Sequence, residues 1–199
     1  MICISHRINT IEALQQLPKK YGVEIDLRDN LAGRIYLQHD PFISGDDFET
    51  YLQNYHHGLM ILNIKSERVE LKALELLTKY GITEYFFLDS SFPMVYLLSQ
   101  QGNSNIALRV SEYEKMDTLI AMAGKVKWVW VDCFTKLPIG QDEISMLKAL
   151  DYKLCLVSPE LQGRPYDVEK MASEIKEQNL NFDAVCSKQY MMRIWEEKL

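Results

Sequence analysis

The sequence predicts a compact (βα)8 barrel, an α/β fold of the TIM type. Three observations carry that expectation. Eight short runs rich in Val, Ile, Phe and Tyr recur along the 199 residues, each followed by a longer segment with helical spacing. No stretch rich in Gly, Ser or Pro breaks the rhythm, so a single domain over residues 1–199 is expected. No G-x-G-x-x-G or Walker A motif is present, which disfavours an open doubly wound sheet.

The expected strands are residues 2–5, 22–27, 59–64, 84–88, 105–110, 127–132, 153–157 and 182–186. Helical periodicity places helices at 9–20, 66–80, 92–101, 114–123, 142–150, 167–178 and 189–197. Thr10 and Ser66 stand at or near N-caps, and Tyr80-Gly81 is a stop signal. One excursion follows the second strand: a turn at 30–33, a strand-like alternation at 34–38, and a helix at 46–56. Dividing 199 residues over eight units leaves about 25 per unit, near the lower bound for this barrel. Short loops and an open mouth are therefore expected, facing a large substrate or a lid from a partner chain.

Composition excludes some functions. Twenty-two basic and 28 acidic residues give a net charge of −6, which argues against a general nucleic-acid binder. No apolar run approaches the roughly 20 residues of a membrane-spanning helix. The first residues hold no basic n-region and no long apolar region, so a cytoplasmic location is expected. Cys3, Cys133, Cys155 and Cys186 form no C-x-x-C pair and sit in or beside apolar runs, as buried reduced thiols do.

In such a barrel, functional groups gather at the C-terminal ends of the strands. Glu24, Asp26 and Arg28 alternate onto one face, as do Asn63 and Lys65. Two carboxylates pointing together repel unless something positive lies between them. A divalent cation, Mg2+ or Ca2+, would serve, with Asn63 adding its carbonyl oxygen. An ion-pair network with Arg28, Lys65 or Arg109 would serve equally. Arg7, Lys65, Arg109 and Lys188 bring positive charge to the same mouth, suited to an anionic group such as phosphate. His6 and His39 flank it and can supply a base and an acid, whereas His56 and His57 lie at a helix end. Arg28, Arg109, Asp132, Glu160 and Lys188 complete a candidate substrate-binding wall, with Trp128, Trp130 and Phe134 either lining it or packing the core.

His6-Arg7 followed by Asn9-Thr10 and a helix resembles the H-R-G and N-T opening of the glycerophosphodiester phosphodiesterases. Glu24-Ile25-Asp26 resembles that family's E-x-D metal pair. His39-Asp40 resembles its H-D motif, Leu62-Asn63-Ile64-Lys65 its L-E-I-K segment, and Ser91-Phe92 its S-F pair. Order and spacing agree over the first half of the chain. The resemblance implies a barrel of the phosphatidylinositol phospholipase C type and metal-assisted cleavage of a small phosphodiester. It makes Glu24, Asp26 and Asn63 the metal set, Arg7 a phosphate contact, and Lys65 a neutraliser of developing charge. It makes His6 the general base and His39 the general acid, and allows attack by a neighbouring substrate hydroxyl through a cyclic intermediate. Ile8 stands in place of the family's Gly and Asn63 in place of an acidic ligand; the Trp-Thr pattern near the seventh strand is missing. These departures keep open a binding barrel without turnover and a metal-independent lyase. An oligomer is compatible with either. The family's inserted region after the third strand has no room here, because Lys65 is followed at once by helix.

Overall fold

In the computed structural model, which describes residues 1–198, strands and helices alternate almost throughout. The elements are β1 (Ile2–Ser5), α1 (Ile11–Gln16), β2 (Gly22–Asp29), β3 (Ile35–Leu37), β4 (Asp46–Asp47), α2 (Phe48–Gln53), β5 (Met60–Ile64), α3 (Val69–Lys79) and β6 (Tyr85–Leu88). They continue as α4 (Phe92–Gln100), β7 (Ala107–Val110), α5 (Asp117–Ala121), β8 (Trp128–Val131), α6 (Gln141–Ala149), β9 (Lys153–Val157), α7 (Val168–Glu177), β10 (Ala184–Ser187) and α8 (Met192–Lys198). Eight strands are mutually parallel in the circular order β1-β2-β5-β6-β7-β8-β9-β10. Seven seams are hydrogen-bonded ladders, including the closing β1–β10 pair. The eighth, β6–β7, is a single parallel bridge at Phe87–Ile106, with the Phe87 amide donating to Asn105 at 3.0 Å. The fold is the barrel that the alternation foretells.

Two apolar layers hold it. Outward residues of the strands, such as Val23, Ile25, Leu27, Met60 and Leu62, pack beneath the helices. Inward residues form a second cluster, among them Ile4, Ile61, Phe86, Trp128, Trp130 and Cys155. Trp128 stacks on Phe86 at 4.6 Å, and Trp130 is buried in the same inner cluster. All four cysteines are free thiols. Gly22 is required where β1, β2 and β5 converge: a Cβ there would lie 2.4 Å from the Leu59 carbonyl oxygen.

Local chemistry explains where the elements depart from the sequence expectation. The helix expected at 9–20 is only α1, capped by the Thr10 hydroxyl on the Ala13 amide at 3.1 Å. Pro18 pushes Leu17 into extended geometry and ends it. The helix expected at 46–56 begins as β4, and Asp47 then caps α2 through the Thr50 amide at 2.9 Å. Ser66 lies two residues before the α3 cap, Arg68, and instead accepts the Asp29 amide at 3.2 Å. The segment expected as helix from 114 starts with a Ser111–Glu114 turn, so α5 is short. Residues 189–191 form a 3-10 turn before α8.

The loop after β8 is clamped by one carboxylate. Glu112 accepts the amides of Phe134, Thr135 and Lys136 at 3.2, 2.6 and 2.9 Å, and the Thr135 hydroxyl at 2.9 Å. Partial desolvation works to raise its pKa, but the amide donors outweigh it and hold the group down at about 2. A depressed folded pKa contributes stability above the unfolded value that is lost as pH falls through the folded one. Glu112→Gln should therefore flatten the acid-unfolding slope between about pH 4.5 and 2 while weakening the loop at neutral pH. Denaturant titrations across that range check it; an unchanged slope contradicts the clamp.

Candidate active site at the barrel mouth

β2 breaks the apolar lining. Its inward positions after Gly22 are Glu24 and Asp26, both buried. Register places Asp26 beside Asn63 of β5. The Asn63 amide donates to Glu24 Oε1 at 2.9 Å, and the Arg7 backbone N–H donates to Glu24 Oε2 at 2.7 Å. Asn9 grips Asp26 twice: its side-chain N–H donates to Asp26 Oδ2 at 2.7 Å, and its carbonyl oxygen accepts the Asp26 amide at 2.8 Å. Even so, Asp26 Oδ1 and Asn63 Oδ1 are buried with no hydrogen-bond partner. Burial, and secondarily the Asp26 charge, raise the Glu24 pKa to about 7. The pair is short of positive charge.

Cations surround the pair without closing on it. Lys65 Nζ lies 3.7 Å from Asp26 Oδ1 and 3.6 Å from Asp89 Oδ2, beyond hydrogen-bond length to both. Arg7 Nε lies 3.9 Å from Asp26 Oδ2, with its side chain partly open to solvent. Arg7 takes the left-handed conformation at φ 57°. The strained residue is thus Arg7, while Ile8, where a glycine was the family's choice, is buried in the core.

The two histidines differ. His6 Nε2 lies 3.8 Å from Glu24 Oε2, and Lys188 Nζ lies 2.9 Å from its Nδ1. Burial first, then Lys188 and Arg7, lower the His6 pKa to about 3, so the ring is neutral at pH 7. A lysine ammonium only donates, so it occupies the Nδ1 lone pair and leaves the ring N–H on Nε2. His39 is half-exposed, its Nδ1 2.8 Å from Asp40 Oδ1. That partner assigns N–H to Nδ1 and leaves Nε2 free.

On the far wall, Arg109 pairs with Asp89 and with Asp132, and its Nε lies 3.7 Å from Glu114. Gln162 donates to the other Asp132 oxygen at 2.6 Å. Burial raises the Asp132 pKa despite Arg109. Asp89 also takes a left-handed conformation, at φ 59°.

His6, Arg7, Glu24, Asp26, Asn63, Lys65 and Lys188 thus form one connected cluster. Four residues expected on the substrate wall are engaged elsewhere. Glu160 is buried; it accepts Ser187 Oγ at 2.6 Å, the Lys188 amide at 2.8 Å and the Ser158 hydroxyl, tying β9 to β10. Arg28 donates to the His39 carbonyl at 2.7 Å and the Lys65 carbonyl at 3.1 Å, fixing the His39 loop to β5. Arg109 and Asp132 neutralise each other. Asn9, Asp89 and Gln162 join the site although spacing did not single them out as site residues. Among the described residues no three His, Cys, Asp or Glu side chains converge; the third oxygen donor at the mouth is the amide of Asn63.

The class so defined is a parallel (βα)8 barrel with an acidic pair inside its C-terminal mouth. Solved structures match the fold of the whole chain. A glycerophosphodiester phosphodiesterase from Agrobacterium tumefaciens str. C58 superposes with a TM-score of 0.69 and 13% identity over 99% of both chains. A phosphodiesterase from Oleispira antarctica, in complex with the product sn-glycerol-3-phosphate, gives 0.70 and 15% over 98% of this chain and 97% of that one. A glycerophosphoryl diester phosphodiesterase from Parabacteroides distasonis ATCC 8503 gives 0.66 and 13% over 99% and 85%. No family model matches the sequence, and no curated protein matches it. This chain has the fold of the glycerophosphodiester phosphodiesterases on a sequence far from theirs.

Proposed function

We propose that the chain hydrolyses a small phosphodiester of the glycerophosphodiester type, with a divalent cation, Mg2+ or Ca2+, held by Glu24, Asp26 and Asn63. One observation carries the reading: two buried oxygens, Asp26 Oδ1 and Asn63 Oδ1, have no partner beside a carboxylate that burial disfavours. Hard oxygen donors in that arrangement suit a hard cation. When bound, such an ion polarises a phosphoryl oxygen and offsets the charge that builds on it.

The chain's own groups supply the rest. Arg7 reaches solvent from the cluster and binds a non-bridging phosphate oxygen. Lys65, loosely held between Asp26 and Asp89, moves toward charge developing at phosphorus. His39, with Nδ1 fixed by Asp40, exchanges a proton at Nε2 with the leaving alkoxide. His6 accepts a proton from the attacking hydroxyl or water once Lys188 leaves its Nδ1.

Phosphorus NMR of a glycerophosphodiester panel, with Mg2+ or Ca2+ and then with excess chelator, tests this. A phosphomonoester or cyclic phosphate should appear with the ion and cease with chelator. Turnover that survives chelation would instead assign the cation's place to Lys65. No turnover under any condition would reduce the site to a binding barrel.

A further inference from the structure

We propose, resting on the cation reading of Glu24, Asp26 and Asn63, that Asp89 is a positioning residue. Its carboxylate holds the Lys65 ammonium off Asp26 Oδ1 and so keeps that oxygen open to the ion. The starting observation is an attraction left incomplete. Asp26 Oδ1 is buried and has no hydrogen-bond partner, yet Lys65 Nζ stands 3.7 Å away. A buried carboxylate oxygen draws an ammonium strongly, because little water screens the pair. The Lys65 main chain is fixed: its amide donates to the Leu27 carbonyl at 2.9 Å, and its carbonyl accepts Arg28 at 3.1 Å. Only the side chain is left to move, and its flexible stem can cover the fraction of an ångström that separates Nζ from a hydrogen bond.

The opposing pull comes from Asp89. Its Oδ2 lies 3.6 Å from Lys65 Nζ, nearly matching the 3.7 Å to Asp26 Oδ1 on the other side. Asp89 is itself anchored. Its Oδ1 accepts Arg109, whose other terminal nitrogen pairs with Asp132 Oδ2. Gln162 then donates to Asp132 Oδ1 at 2.6 Å, which closes the far end. Charges thus alternate across the mouth from Asp132 through Arg109, Asp89 and Lys65 to Asp26. Backbone geometry aims the aspartate: at φ 59° it takes a left-handed conformation, which Asp tolerates better than most side chains. The ladder also accounts for Arg109 and Asp132. Paired to each other, they anchor the residue that restrains Lys65 instead of meeting substrate.

Ion-free crystal structures and a double-mutant cycle test this on the full chain. Asp89→Asn suits the left-handed backbone and keeps an oxygen for Arg109, but turns an N–H toward Lys65. In chelator-treated crystals of Asp89→Asn, Lys65 Nζ should close to hydrogen-bond distance of Asp26 Oδ1, while the wild type keeps the two apart. Calorimetry with Mn2+ reads the consequence. Asp89→Asn should weaken binding roughly tenfold and Lys65→Met should tighten it roughly tenfold, the scale of one competing charge near a partly screened site. In the Lys65→Met background, Asp89→Asn should change affinity by less than about threefold, because the group it acts through is gone. Loss of a negative charge acting directly on the ion would weaken binding equally in both backgrounds. That result, or Lys65 standing unmoved in the Asp89→Asn crystal, would overturn the proposal. Lys65→Met carries the test alone if Asp89→Asn does not fold: Mn2+ affinity no tighter than wild type would overturn it too. No Mn2+ binding by any variant, with Lys65 closed on Asp26 in the Asp89→Asn crystal, would count against the cation reading and leave the positioning role of Asp89 standing.

Discussion

Replacing His39 with Ala should lower kcat on a glycerophosphodiester by about 100-fold to 10,000-fold, the usual contribution of one positioned acid or base, with the fold intact. The residue's surroundings support both halves of that statement. Its backbone carbonyl, not its ring, receives the two Arg28 donors, so the loop keeps its anchor without the imidazole. Among the described residues, the ring's side-chain hydrogen-bond partner is Asp40 alone. The hydrogen bond to His39 lowers the Asp40 pKa, keeping that carboxylate ionised and the ring N–H on Nδ1. Asp40→Asn would let the other tautomer compete and should give an intermediate loss. Steady-state kinetics beside circular dichroism decide this. Activity within threefold of wild type in a folded His39→Ala protein would remove the proton-transfer role.

Glu24→Gln should weaken divalent-ion binding on the order of 100-fold, because ligand charge sets the hold on a hard cation. The same change should not destabilise the ion-free protein. Glu24 is buried beside Asp26, and burial raises its pKa; glutamine fills the space with no charge to desolvate. Its amide can also keep a contact with Asn63. Asn63→Asp should act in the opposite sense. It restores a third carboxylate at the mouth, tightening ion binding while lowering ion-free stability through repulsion with Glu24, which loses the 2.9 Å Asn63 donor. Isothermal calorimetry with Mg2+ and Ca2+, paired with thermal unfolding in chelator, reads both effects. Unchanged affinity in Glu24→Gln, or weaker affinity in Asn63→Asp, would contradict the proposed ligand set.

Much of this architecture is legible in the sequence because barrel strands impose a period of two. Glu24 and Asp26 stand out since Val23, Ile25 and Leu27 between and around them are apolar, which fixes the carboxylates on the inner face. Helix ends are less legible. Pro18 cuts α1 short, and a strand pair at Asp46–Asp47 replaces the start of an expected helix because β3 offers it a partner. The far wall is hidden for a similar reason. Whether Arg109 faces substrate or two aspartates depends on β6, β7 and β8 standing side by side. Glu160 reads as a mouth carboxylate, yet Ser158, Ser187 and the Lys188 amide enclose it once β9 and β10 pair.

The central claim is that Glu24, Asp26 and Asn63 hold a cation against which a phosphodiester is cleaved. A crystal structure grown with Mn2+ and glycerol 3-phosphate, phased for anomalous scattering, tests it most directly. An anomalous peak bonded to Asp26 Oδ1, Asn63 Oδ1 and Glu24 is expected, with a phosphate oxygen on the ion and Arg7 on another. A clean map with no peak there, and Lys65 Nζ drawn onto Asp26 Oδ1 instead, would contradict it.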